Sequence, residues 1–170
     1  MGKIVSRGLL ALYVVLLIWL VLFKLSFHIS SVLDYHHRSL NLVPFAAPSK
    51  VDGSINFGEM IFNVVFFIPL GLLLNVNFKK IRLLPKFYSV LLFSITAELI
   101  QYIFAIGATD ITDVITNTVG GILGLTLYSS ITKYIDNKKI DLIIISVGIL
   151  LLVLFISMEA SHLFNRRLLR

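Results

Sequence analysis

The sequence predicts an all-α integral membrane protein, a bundle of about five transmembrane helices with a polar cavity toward the outer leaflet. Three observations carry this. The chain is 58% hydrophobic and only 14% charged over 170 residues, which leaves too little polar surface to keep a domain of this size dispersed in water. Its apolar runs match the roughly 20 residues that a helix needs to cross a bilayer core. Glu98, Gln101, Asp113 and Asn117 sit inside or beside those runs. A charged or amide group there is costly in hydrocarbon, so it is expected to face the protein interior or a wet cavity. The spans consume most of residues 1–170, so a single membrane domain is expected, with no separate soluble core. The absence of cysteine excludes disulfides, zinc-thiolate sites and thiol catalysis.

The first span is read over residues 8–27. Lys3 and Arg7 precede an apolar stretch, as in a signal peptide, but the run from Gly8 to Phe23 is long and no Ala-x-Ala-like site follows, so an uncleaved anchor is expected. The second span, 57–76, opens with Glu59 and Asn63. It contains Pro69, which frees backbone and can shape a cavity. The third, 87–106, carries Ser94, Glu98 and Gln101. The fourth, 111–131, is the least apolar and in isolation reads as a surface helix; partners for its polar stripe make it a span. The fifth is 140–161.

Basic residues favour the cytoplasmic side. With the N-terminus inside, the inner segments hold nine (Lys3, Arg7, Lys79, Lys80, Arg82, Lys86, Lys133, Lys138 and Lys139) and the outer segments six (Lys24, Arg38, Lys50, Arg166, Arg167 and Arg170). The expected topology is therefore a multi-pass protein of the cell membrane with a cytoplasmic N-terminus. Arg166-Arg167 argues the other way, so the tail is either tolerated outside or the last span does not fully cross. Counting from Lys86, Glu98 lies about 18 Å along its helix, in the outer half of the bilayer. Gln101 lies nearer the outer surface, and Asp113 and Asn117 follow in the first turns of the re-entering span. Glu59 and Asn63 also start outside.

Helical spacing lets these groups face one another. Ser94, Glu98 and Gln101 form one stripe. Asp110, Asp113, Asn117, Gly120, Gly121 and Gly124 fall within roughly 100° of arc, and Asn56, Glu59 and Asn63 form a third stripe. Burying the three stripes against each other makes a polar chamber that opens outward. Plainer roles stand beside this one. Asp110 suits an N-cap, Asn63, Gln101 and Asn117 suit interhelical hydrogen bonds, and Gly120-x-x-x-Gly124 suits close helix packing. His36-His37 with Asp34 lacks the remaining ligands of a metal site. Glu98, Asp110 and Asp113 offer hard oxygens suited to magnesium or calcium, yet carboxylates in a polar cavity need no ion, and no metal or other cofactor is expected. No Gly-x-Ser-x-Gly, phosphate-binding Gly-x-x-x-x-Gly-Lys or His-Glu-x-x-His is present. The basic loop 79–86 reads as an orientation signal or a contact with anionic lipid, and nucleic acid is not implied. The loop 28–56 contains Asn41-Leu42-Val43-Pro44-Phe45, and with Pro48 it excludes a long helix. Its apolar residues suit a place on the outer interface or over the chamber, the alternative being a plain connector.

An ordered set of motifs resembles the VanZ family. It comprises Asn41-Leu42-x-Pro44-Phe45, Asn63 followed by Phe67-x-Pro69-x-Gly71, Glu98-x-x-Gln101, and Thr109-Asp110-x-x-Asp113-x-x-x-Asn117-x-x-Gly120. Together these cover 41–124. Many members carry an arginine after the glycine of the outer turn, where this chain has Gly107-Ala108-Thr109. The acidic group there is left uncompensated or is met by Arg38 or Lys50. The resemblance implies an integral membrane protein associated with resistance to teicoplanin, a glycopeptide bearing a fatty acyl chain, and it brings no catalytic mechanism with it. The expected ligand-binding set is Asn63, Glu98, Gln101, Asp110, Asp113 and Asn117. The expected partners are membrane lipid or a lipid-linked cell-wall precursor, and teicoplanin itself, because drug and precursor share the outer leaflet. The rival reading is an intramembrane enzyme acting on a lipid-linked substrate. Glu98 would then be general acid or base, its pKa raised by burial, and Asp113 a further catalytic candidate that positions substrate with Asn117. A small exporter ranks last, since no internal repeat is evident.

Overall fold

In hydrocarbon only helices and closed barrels satisfy every backbone polar group, and the long apolar runs of this chain fold as helices. The computed structural model describes residues 2–23, 39–45, 57–106 and 108–168. In chain order the elements are α1 (Gly2–Phe23), β1 (Ser39–Asn41), α2 (Phe57–Asn77), α3 (Leu83–Phe104), β2 (Ala108–Asp110), α4 (Ile111–Ile131) and α5 (Asn137–Leu168). Among the described residues there are five helices, and all five are long and apolar enough to cross a membrane.

Their limits follow local chemistry. Helix α1 starts at Gly2 rather than at residue 8, because Lys3 and Arg7 are good helix formers and extend it beyond the apolar run. The expected end, residues 24–27, lies outside the described residues. Helices α2 and α4 match their expected spans to within a residue. Helix α3 begins at Leu83, four residues before the expected start. Pro85 sits in its first turn, where a missing N–H costs nothing. It stops at Ala105, which turns left-handed (φ 53°), and the N–H of Ile106 returns to the Gln101 carbonyl at 3.2 Å. Helix α5 has 32 residues, against an expected 22. At 1.5 Å per residue it is about 48 Å long, more than the ~30 Å hydrocarbon core requires. Its apolar side chains, among them Leu142, Leu150, Val153 and Ile156, are mostly exposed, so it stands at the edge of the bundle against lipid.

The centre of the bundle is the crossing of α2 and α4. Gly120 and Gly124 lie against the carbonyls of Val64 and Ile68, and Gly71 lies against Gly121 and Gly124. Small residues let two backbones approach this closely. Around the crossing, Leu17, Phe67, Leu70 and Val90 form a buried cluster that joins α1, α2 and α3. Phe67 meets Phe93 edge-on, with ring centroids 5.8 Å apart. The Tyr13 hydroxyl donates to the Phe66 carbonyl at 2.6 Å, one turn before Pro69.

At the end that holds the N-terminus, Lys86 is buried. Its Nζ donates to Asn75 Oδ1 at 2.6 Å, and Asn75 Nδ2 donates to the Leu125 carbonyl at 2.8 Å. This chain of bonds ties α3 to α2 and α2 to α4. Removing either partner has unequal costs: a buried amine without an acceptor is worse than a buried amide that has lost one donor. Asn75→Leu is therefore expected to lower stability by about 2–3 kcal/mol, and Lys86→Met by clearly less. Denaturation of the two purified variants checks the order.

Candidate functional site

The opposite end of the bundle gathers the polar residues, and a strand pair organises them. β1 and β2 pair in parallel, with Ser39 opposite Ala108, Leu40 opposite Thr109 and Asn41 opposite Asp110. Parallel strands require a long connection, which α2 and α3 supply by crossing and returning between them. This pair adds a small sheet to a fold expected to be all helix. It also places part of the loop 28–56 against the polar end. There the Phe45 N–H donates to Thr112 Oγ1 at 3.1 Å and the Val43 N–H to Asn41 Oδ1 at 3.1 Å.

Asp110 is the hub. As N-cap of α4 it accepts the Thr112 N–H on Oδ1 at 2.8 Å. Its Oδ2 accepts Asn41 Nδ2 at 3.1 Å, and its own N–H donates to Glu98 Oε2 at 3.0 Å. Thr109 Oγ1 donates to the Glu98 carbonyl at 3.1 Å. The last turns of α3, the strand pair and the first turn of α4 are thus tied through one carboxylate on each side of the loop. A carboxyl group keeps an acceptor oxygen whether charged or neutral, which suits Glu98 to receive the backbone N–H.

Two further links radiate from α4. Asn63 Nδ2 on α2 donates to Asp113 Oδ1 at 2.8 Å and reaches Thr116 Oγ1 at 3.4 Å. Asn117 Nδ2 donates to Ser94 Oγ on α3 at 3.0 Å. Gln101 turns away from α4, its Nε2 donating to the Val21 carbonyl of α1 at 2.8 Å. The stripe Ser94, Glu98 and Gln101 therefore serves three different partners. Glu98, Gln101, Asp113 and Asn117 are buried, while Asn63 and Asp110 are half-buried. Gln101 Oε1 and Asn117 Oδ1 are buried acceptors with no hydrogen-bond partner among the described residues. Such oxygens are costly in isolation, and each offers an acceptor to a donor-bearing ligand or an ordered water.

All six residues of the expected ligand-binding set sit at this one end. Glu59 is half-buried in the first turn of α2. Asn56, Asp34, His36, His37, Arg38, Pro48, Lys50 and Gly107 lie outside the described residues. The structure adds Thr112 and Thr116, whose hydroxyls join the loop and α2 to α4. The repeated Thr-Asp pairs at 109–110 and 112–113 are the available signal for Thr112, since such residues favour helix starts; Thr116 lies in neither pair. Among the described residues no three metal-ligating side chains come together. Removing the cap, as in Asp110→Ala, is expected to cost about 0.5–2 kcal/mol and to loosen the 39–45 segment. Faster proteolysis within 39–45 would report this.

The model of the VanZ/LLP1 family matches residues 10–133. The chain belongs to the VanZ/LLP1 family. The match takes in most of α1, all of β1, α2, α3, β2 and α4, and so the entire polar site. The chain is also 67% identical over 156 residues, 92% of its length and 93% of the relative's, to Protein VanZ of Enterococcus faecium. No solved structure matches it. Helix α5 lies beyond the family match, consistent with its place at the bundle's edge.

Proposed function

We propose that this chain is a membrane determinant of teicoplanin resistance that acts at the outer leaflet, on drug access or on the state of a lipid or lipid-linked cell-wall precursor. The observation that carries this reading is a juxtaposition at the polar end. Leu40, Leu42, Val43 and Phe45 are exposed on a segment whose backbone and Asn41 are bonded to Asp110 and Thr112. An apolar ledge is thus bonded to the Asp110 end of the carboxylate and amide cluster. That pairing of surfaces suits an amphiphile, with its hydrocarbon part on the ledge and its polar part toward the cluster.

The distribution of charge supports the orientation. Lys3, Arg7, Lys79, Lys80 and Lys138 surround one groove at the end away from the cluster, and basic residues favour the cytoplasm. The N-terminus is then inside and the polar cluster faces out. Because the chain has no cysteine, single introduced thiols test this cleanly. Val43→Cys should label in intact cells with an impermeant maleimide, and Lys80→Cys only after permeabilisation. The reverse pattern would place the polar cluster on the wrong leaflet for this function.

Susceptibility of a sensitive Gram-positive host with and without the protein tests the activity. Teicoplanin tolerance should rise while vancomycin tolerance stays unchanged, and Leu42→Ser/Phe45→Ser should reduce the gain. An equal rise for both drugs would overturn dependence on the acyl chain, and no rise for either would overturn the proposal.

A further inference from the structure

The end opposite the polar cluster has its own site. A groove of about 1000 Å³ is lined by Lys3, Arg7, Lys79, Lys80, Lys138 and Asp141, with apolar walls from Val76 and Ile145. Asp141 is committed elsewhere. It pairs with Lys79 and accepts the Tyr128 hydroxyl at 2.7 Å. Among the described residues Lys3, Arg7, Lys80 and Lys138 have no ion-pair partner, and all four are exposed. They come from α1, from the turn after α2 and from the start of α5, so the fold converges four cations on one concavity.

Along the same three helices, one turn deeper, lies a second cavity of about 570 Å³. Its walls are hydrocarbon, including Leu9, Leu72, Leu73, Ile144 and Leu152. Its one polar side chain, Tyr13, already spends its hydroxyl on the Phe66 carbonyl. The two cavities share α1, α2 and α5 and take neighbouring residues from each: Arg7 and Leu9, Val76 and Leu73, Ile145 and Ile144. A cationic mouth beside an apolar cleft, along the same three helices, complements an anionic amphiphile.

We propose that the seam between α1, α2 and α5 binds one anionic phospholipid, its phosphate among Lys3, Arg7, Lys80 and Lys138 and an acyl chain in the apolar cleft. A basic rim acting only as a topology signal would attract a charged surface diffusely. The cleft makes the contact stoichiometric, because it holds a chain as well as a charge. A soluble phosphate would use the mouth and leave the cleft unfilled.

Native mass spectrometry and thermal unfolding of the full chain purified in detergent test this. The probes are dioleoylphosphatidylglycerol, dioleoylphosphatidylcholine and glycerol 3-phosphate. One phosphatidylglycerol should be retained per chain, with about tenfold preference over phosphatidylcholine, and should raise the melting temperature. Lys80→Gln/Lys138→Gln should abolish the preference and leave the folded protein intact. Leu152→Trp, which fills the cleft, should weaken retention of both lipids. Equal retention of the two lipids, or a preference untouched by the double substitution, would overturn the proposal. A full thermal shift from glycerol 3-phosphate alone would replace the lipid with a soluble phosphate.

Discussion

Gly124→Val is expected to abolish accumulation of folded protein, and Gly120→Val to do nearly the same. A Cβ on Gly124 would sit 2.1 Å from the Ile68 carbonyl oxygen, and one on Gly120 would sit 2.2 Å from that of Val64. Both obstacles are backbone, so no side chain can rotate away, and α2 and α4 would have to part. Overpacking where side chains can yield costs about 1–3 kcal/mol, and a backbone clash at two points of the central crossing should exceed that. Gly8 supplies the control, since nothing lies within 4 Å of a Cβ there, and Gly8→Val should express normally. Monodisperse yield after purification from membranes decides the matter. Normal yield of Gly124→Val would mean that the crossing is not the seat of stability.

The second large effect is expected at Glu98, and it separates architecture from chemistry. Glu98→Leu removes the oxygen that accepts the Asp110 N–H and buries an unsatisfied donor where β2 meets α4. That costs about 1–3 kcal/mol and should disorder the 39–45 segment, with resistance lost in consequence. Glu98→Gln retains a carbonyl oxygen at the same distance along the side chain, so it should keep the fold and most of the resistance. If Glu98→Gln inserts and melts normally yet confers no resistance, the carboxyl acts through its charge or proton, and the intramembrane-enzyme reading gains. Susceptibility and melting temperature measured on the same variants give both answers.

Hydropathy made the helices legible because lipid admits only helices and closed barrels, and apolar runs of about 20 residues fit the helix. Their ends were less so. Lys3 and Arg7 add turns to α1 without adding hydrophobicity, and Pro85 resembles a helix breaker until its place in a first turn is known. The polar residues were legible for the same reason as the spans: Glu98, Asp113 and Asn117 are conspicuous where water is absent. Which partner each takes was not. Spacing gives the face of a helix but not its rotation against three neighbours, so nothing in the stripe of Ser94, Glu98 and Gln101 foretold that Gln101 would bond to α1. The strand pair was hidden because three-residue strands carry no period, and β1 and β2 are held in register by Asn41, Asp110 and Glu98 side chains from distant parts of the chain. The buried pair of Lys86 and Asn75 was missed because Lys86 reads as one more charge in a basic loop.

The parallel pairing of β1 with β2 also sets an order of events during synthesis. β1 emerges after α1, but its partner exists only after α2 and α3 have both entered the bilayer. Until then the 39–45 segment must wait without its strand partner. The two strands can meet only if an even number of crossings separates them, so the pair acts as a parity check on insertion. A chain in which α3 fails to enter leaves β2 on the other side, and Leu42, Val43 and Phe45 are then displayed without their anchor. Such misinserted chains would offer that segment to proteolysis through the same exposed residues to which the proposed function assigns an amphiphile.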